Sequence, residues 1–195
     1  MRAVVLATAN PHKTEEIRQV LSAYDIELLP RPSDVPDVVE NADTLEGNAL
    51  LKANVLAVAT GSPAIADDTG LFIDALDGAP GVFSARYAGE HASFDDNVRK
   101  VLLELEGVQG NDRSARFRTV IALANPDGTL WFVDGVLEGT ILPGRTGQHG
   151  FGYDPIFAPA GANGRSLADL TPEEKNAISH RGIALRAFAE KFARS

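Results

Sequence analysis

The chain has no cysteine among its 195 residues. That excludes disulfides, thiolate zinc sites and a cysteine nucleophile. It also has no run of the roughly 20 apolar residues that a membrane-spanning helix needs, so no membrane partner is expected. The N-terminal apolar stretch Ala3-Val4-Val5-Leu6-Ala7 is too short for the core of a secretory signal, and Asn10-Pro11-His12-Lys13 follows it almost at once. A cytoplasmic protein is expected. Positive charge is scarce: 18 Lys and Arg stand against 27 Asp and Glu, a formal net charge of -9. A duplex-binding surface usually has the opposite sign, so nucleic acid is not an expected partner. No internal repeat, low-complexity tract, interdomain linker or Gly-x-x-x-x-Gly-Lys phosphate loop is present.

What is there is an ordinary globular composition, 44% hydrophobic and 23% charged, long enough for a sizeable core. One domain over residues 1–195, in two lobes around a cleft, fits best. The charge is uneven. Asp25, Glu27, Asp34, Asp37, Glu40, Asp43 and Glu46 face Arg31 alone between residues 25 and 46, whereas residues 165–195 hold six bases against four acids. A protein handling an anion must therefore gather its positive charge locally.

The stretch Ala64-Ile65-Ala66-Asp67-Asp68-Thr69-Gly70-Leu71 stands out. Ala-Ile-Ala reads as a buried strand that ends at two adjacent acids. Like charges this close raise each other's pKa, so full ionisation needs a cation or strong donors beside them. A divalent metal with oxygen ligands, such as Mg2+, supplies this most simply. The other reading is a strand-end turn in which Asp caps the backbone of Gly70.

Along the chain, residues 2–8 read as a buried strand and 14–24 as a helix, with Ile17, Val20 and Leu21 on one stripe and Glu15 and Glu16 in its first turn. Thr8-Ala9-Asn10-Pro11-His12-Lys13 is the break between them. A loop between a strand and a helix start can hold phosphate on backbone N-H groups, with Lys13 as a point charge, or it can be a plain connection with an exposed lysine. Residues 26–29 read as a strand and 30–43 as an extended loop. After Thr44, residues 48–60 read as a helix whose only charge is Lys52, a functional cation or a snorkelling surface lysine. Leu71-Phe72-Ile73 can continue as a strand. Ser93 caps an expected scaffold helix over 94–106. Residues 115–124 alternate, with Phe117, Thr119, Ile121 and Leu123 on one face, and turn at Asn125-Pro126-Asp127-Gly128 into 129–133, with 135–142 continuing or adding a strand. Glycines flank Phe151 in the loop over 145–159, where the ring can stack on a base or be buried. Thr171-Pro172-Glu173-Glu174 opens a helix. Lys175, His180 and Arg181 fall near a break before a second helix over 183–193, as ligands or as a solvated basic face.

Together these segments resemble the inosine triphosphate pyrophosphatase family. The resemblance rests on Thr8-Ala9-Asn10-Pro11-His12-Lys13, Asn48-Ala49-Leu50-Leu51-Lys52-Ala53, the Asp67-Asp68 stretch, Pro80-Gly81-Val82-Phe83-Ser84-Ala85-Arg86-Tyr87, Phe151-Gly152-Tyr153-Asp154-Pro155 and Ser179-His180-Arg181-Gly182, in the family's order over nearly the whole chain. It implies an α/β fold with an elongated mixed sheet flanked by helices and two lobes around a central cleft. It also implies a homodimer that uses Mg2+ to cleave ITP, dITP or XTP to the monophosphate and pyrophosphate. Carried over by position, Asp68 is the proton acceptor and, with Asp67, a metal carboxylate. Thr8, Ala9, Asn10, Pro11, His12, Lys13 and Lys52 hold the phosphates, and Thr69 contacts substrate. Phe151, Gly152, Tyr153 and Asp154 form the base pocket, completed by Lys175, His180 and Arg181, the last two as candidate donors to the purine 6-oxo group. The family's further metal-site glutamate has no clean counterpart in Val39-Glu40-Asn41-Ala42-Asp43-Thr44; Glu40 is its nearest match. A pyrophosphatase for another modified nucleotide and a nucleotide-sensing module that binds without turnover are the competing functions.

Overall fold

The computed structural model describes residues 2–36 and 38–194. Strand β1 (Arg2–Leu6) leads to helix α1 (Pro11–Leu21) and β2 (Ile26–Leu29). Helix α2 (Leu45–Thr60) precedes the ten-residue β3 (Ala64–Ile73) and the short β4 (Pro80–Gly81). Then come α3 (Phe94–Glu104), the long strands β5 (Ser114–Ala124) and β6 (Leu130–Ile141), β7 (Phe157–Pro159), α4 (Pro172–Ile178) and α5 (His180–Arg194). Among the described residues the strands form one seven-stranded sheet in the order β2-β1-β3-β5-β6-β7, with β4 on β3. It is mixed: β1 pairs parallel with β2 and β3, whereas β3–β4 and β6–β7 are antiparallel.

The chain packs as two compact units. The first is Met1–Asp68, Thr119–Gly135 and His180–Ser195; the second is Thr69–Arg118 and Val136–Ser179. Each has its own core. In the first, Val4, Leu6 and Ile65 of the sheet pack with Ile17 and Leu21 of α1 and with Leu185, Phe188 and Phe192 of α5. In the second, Leu71, Ile73 and Phe117 pack with Val98, Val101 and Leu105 of α3 and with Ile141, Ile156 and Phe157.

Several local expectations shift. Helix α1 starts at Pro11, not Thr14: Asn10 is the N-cap and Pro11 takes the first position, where its missing N-H costs nothing. No acid therefore lies in its first turn; Glu15 and Glu16 sit further along. Helix α2 starts at Leu45, because Thr44 accepts from the Gly47 N-H and closes its cap without a glutamate. Helix α3 ends at Glu104 and α5 begins at His180, each within two or three residues of expectation. The period-2 burial of β5 holds from Ser114 to Arg118; beyond that every residue is buried, so the strand is covered on both faces there. The largest change is in β3. Its acids do not end a strand or form a turn: Asp67, Asp68, Thr69 and Gly70 lie inside one continuous strand. Gly70 is needed there, since a Cβ at that position would meet the Gly81 carbonyl of β4 at 2.7 Å.

Candidate active site

The two acids lie side by side in the buried β3, and their ion-pair partners differ. Asp67, 2% exposed, is held by the Lys13 ammonium at 3.0 Å and by the Arg181 guanidinium, whose Nε and Nη2 both donate to Oδ2 at 3.3 Å. Arg181 also bonds Glu16 through Nη1. Asp68 accepts from Lys52 Nζ at 3.1 Å, and the same ammonium donates to Glu40 at 2.9 Å. These ion pairs set four carboxylates (Glu16, Glu40, Asp67, Asp68) against three cations (Lys13, Lys52, Arg181). The cluster lies in the first compact unit.

The two acids diverge electrostatically. Burial alone would raise the pKa of Asp67, but Lys13, Arg181 and Lys52 outweigh it and hold the carboxyl far below the ordinary range. Burial also dominates at Asp68; there Lys52 only partly offsets it and Glu40 adds repulsion, so its pKa lies above the ordinary value. At Lys52, burial is overcome by Asp68, Asp67 and Glu40, and the pKa rises. Neighbouring carboxylates whose environments push their pKa values apart are suited to different roles: one permanently charged, one able to take a proton.

The sequence places these cations through simple geometry. Lys52 is one helical turn beyond Asn48 on α2, so both face β3. Asn48 was not among the expected site residues. Its Nδ2 approaches Asp68 Oδ2 at 3.4 Å while its Oδ1 accepts from the Ala42 N-H, bracing the loop that carries Glu40. Glu16, also not foreseen, lies one turn from Lys13 on α1. The i, i+4 and i, i+3 spacings of these two pairs were the available signal. Lys52 and Lys13 are not surface lysines: their side chains are 14% and 19% exposed.

The helix start at Thr8–Lys13 is already capped. Asn10 Oδ1 accepts from the N-H groups of His12 and Lys13, Thr14 N donates to the Asn10 carbonyl, and Pro11 has no N-H. What this segment offers a phosphate is therefore the Lys13 ammonium and the Thr8 region, not bare helix-terminal donors. Ala9, Pro11 and His12 are exposed, and Thr69, next on β3, is half-buried.

The second unit holds the aromatic group. Asp154, buried, accepts from the Phe151 N-H at 2.8 Å and from Lys175 Nζ at 2.5 Å. Lys175 lies 4.8 Å from the centroid of the half-buried Phe151 ring, a cation–π contact, and Phe94 packs tilted on that ring at 5.9 Å. Gly150 and Gly152 have φ of 74° and 62°. A Cβ at Gly150 would meet Asp154 Oδ2 at 2.1 Å, so the loop closes only with glycine there. Tyr153 is buried, which raises its pKa, and its hydroxyl donates to the Ser84 carbonyl. Ser84 Oγ in turn accepts from the Leu71 N-H of β3 and donates to the Gly81 carbonyl. Ser84 thus ties the Phe151 loop to β3, a role that its position in a motif did not reveal.

His180 and Arg181 are 3% exposed, so they form no solvated basic face. His180 Nδ1 lies 2.6 Å from Thr119 Oγ1 on β5, and Arg181 joins the acids of the first unit. Among the described residues no group of three or more His, Cys, Asp and Glu is placed to hold a metal ion. Asp67, Asp68 and Glu40 are thus not gathered as three free carboxylates; cations stand between them. No helix among the described residues is long and apolar enough to cross a membrane.

The Ham1 family model matches residues 4–191. The chain is 46% identical to a dITP/XTP pyrophosphatase of Oceanobacillus iheyensis over 95% of each chain. It is 50% identical to a protein of the same name from Porphyromonas gingivalis, over 95% of this chain and 94% of that one. Among solved structures, a HAM1 protein from Coxiella burnetii superposes with a TM-score of 0.90 at 44% identity, covering both chains in full.

Proposed function

The chain belongs to the Ham1 family, and from that premise we propose that it hydrolyses deaminated purine nucleoside triphosphates, ITP, dITP and XTP, to the monophosphate and pyrophosphate. The names of its relatives support the substrate class. The observation that carries the chemistry is the divergence of Asp67 and Asp68.

Asp68 is the proton acceptor. Its raised pKa leaves it more basic than an ordinary carboxylate, which suits removal of a proton from a water attacking the phosphate chain. Asp67 stays ionised and fixes Lys13 and Arg181 in place. Lys13 and Lys52, one on each acid, are the point charges for the phosphates. Thr69 follows on the same strand and contacts substrate.

The donor set fits a hard divalent cation. It is all oxygen, and Glu40 and Asp68 already converge on one positive charge, that of Lys52. The ion pairs leave one carboxylate in excess, so a triphosphate of roughly four negative charges needs further positive charge to enter. Mg2+ typically takes one or two carboxylates and completes its shell with waters and substrate phosphates, which suits a site lacking three free carboxylates. Asp68 and Glu40 would hold it, with Asp67 behind them. Once bound, such an ion neutralises phosphate charge and makes a coordinated water more acidic.

Phe151 stacks on the base, framed by Gly152, Tyr153 and Asp154, while Lys175 and His180 meet its polar edge. A 6-oxo group accepts from such donors, whereas the adenine amino group leaves them unpaired, and that mismatch is heavily penalised. The protein works as a cytoplasmic homodimer.

Pyrophosphate release from ITP, dITP, XTP, ATP and GTP, with and without Mg2+, tests the reading. Mg2+-dependent release from the first three, far above ATP and GTP, is expected. Equal rates on ATP, or a better rate on a modified pyrimidine nucleotide, would overturn it, as would tight ITP binding without turnover.

A further inference from the structure

Thr119 is the hydroxyl-bearing residue of β5 at the point where that strand becomes buried on both faces, and it is wholly inaccessible to solvent. Val120, Ile121, Ala122, Leu123 and Ala124 follow it, all buried and apolar. A hydroxyl in such surroundings is costly unless it is hydrogen-bonded. Thr119 Oγ1 lies 2.6 Å from His180 Nδ1, across 61 residues of chain.

His180 is held from two sides. Its side chain meets Thr119. Its backbone lies against Gly135 of β6, where a Cβ would fall 2.2 Å from the His180 carbonyl and 2.5 Å from the Ala184 N-H. The first turn of α5 therefore rests directly on bare strand backbone. The imidazole also sits at the positive end of the 15-residue α5, next in sequence to Arg181. A neutral imidazole donates from one nitrogen and accepts at the other, and the partner of one nitrogen sets the role of its opposite.

We propose that Thr119 is a positioning residue that sets purine selectivity: its hydroxyl donates to His180 Nδ1 and so makes Nε2-H the ring's donor. The inference rests on the reading above, in which His180 meets the base. An Nε2-H donor suits a 6-oxo acceptor and repels a 6-amino group. The opposite tautomer, with Nδ1-H donating to Thr119, would present an acceptor and suit adenine. One buried hydroxyl then distinguishes deaminated from ordinary purine without touching either.

Two measurements on the full chain decide it. The first needs no substrate: long-range imidazole correlation spectra of 15N-labelled protein, with His180 assigned by its loss in His180→Gln. The Nε2-H tautomer is expected in the unaltered protein and its loss or mixing in Thr119→Val, with return in Thr119→Ser. An Nδ1-H tautomer in the unaltered protein overturns the proposal even if Thr119→Val fails to fold. The second is the ratio of kcat/KM for ITP over ATP. It should fall about tenfold or more in Thr119→Val, mainly through KM for ITP, and recover in Thr119→Ser. Thr119→Val that folds with an unchanged ratio overturns the proposal; a packing role alone would lower stability and leave that ratio where it was. If the unaltered protein turns over no ITP, the proposed function falls and takes the selectivity claim with it, while the tautomer result stands by itself.

Discussion

Asp67 and Asp68 are consecutive, equally buried in outline, and opposite in electrostatic character. The difference comes from which cations reach them. Asp67 meets Lys13 and Arg181, whereas Asp68 shares Lys52 with Glu40. Two outcomes follow at this scale. Asp68→Asn keeps the shape and removes the proton acceptor, so pyrophosphate release should fall by about two to four orders of magnitude with the thermal transition nearly unchanged. Asp67 is different, because its charge holds the structure together. Its folded pKa is lowered, so the stability it contributes is complete above the unfolded carboxylate value of about 3.9 and is lost as pH falls through the lower folded value. Arg181→Ala strips two of its bonds and leaves the carboxylate buried with less compensation. It should cost about 3–5 kcal/mol in urea unfolding at neutral pH, and the penalty should shrink as acid protonates Asp67. A penalty that grew with acidity would show that Arg181 acts elsewhere.

At the scale of elements, the loop around Phe151 owes its shape to Asp154, which ties together Phe151 and Lys175 and leaves no room for a Cβ at Gly150. Gly150→Ala adds that Cβ at a φ of 74°. It should displace the Asp154 carboxylate and raise KM for ITP severalfold, with a smaller change in kcat, since the acids of β3 lie in the other compact unit. Initial rates against ITP concentration separate the two parameters; a pure kcat loss would refute this. The same elements show what the sequence made legible. The helices with complete capping boxes, at Ser93 and Thr171, were visible because their signals are local. The start of α1 was less so, although Asn10-Pro11 obeys the same rules, because its stripe begins only at Ile17. The sequence reads β3 as ending at its acids, whereas the strand runs on through them to Ile73. Nothing within it neutralises two carboxylates; the cations that do so come from α1, α2 and α5. Strand propensity is a local quantity, and here distant charge overrode it. The roles of Asn48, Glu16, Ser84 and Thr119 are not legible in local sequence for the same reason: their importance lies in partners far along the chain.

The whole molecule has two cores but no place to cut it cleanly. The chain passes from one unit to the other four times: at Asp68–Thr69 inside β3, at Arg118–Thr119 inside β5, at Gly135–Val136 inside β6 and at Ser179–His180 between α4 and α5. Three of the four fall within a hydrogen-bonded strand, and the fourth joins two consecutive helices without a linker. Melting one unit alone would leave three strands frayed in mid-length, with buried backbone donors and acceptors unpaired, at a cost of about 1–3 kcal/mol for each unsatisfied group. Three crossings adjoin site residues: Asp68, the His180 partner Thr119, and His180 itself. Folding should therefore be a single cooperative event despite the two cores. The chain has one tryptophan, Trp131, which stacks on Phe188 in the first unit, so its fluorescence reports that unit while far-UV dichroism reports both. The two urea transitions should coincide. Phe157→Ala opens the second core and should cost about 3–5 kcal/mol. Its decisive feature is where that loss appears: the Trp131 transition should move as far as the dichroism, though Phe157 belongs to the other unit. A Trp131 curve left in place by Phe157→Ala would mean that the units melt independently and that the shared strands do not couple them.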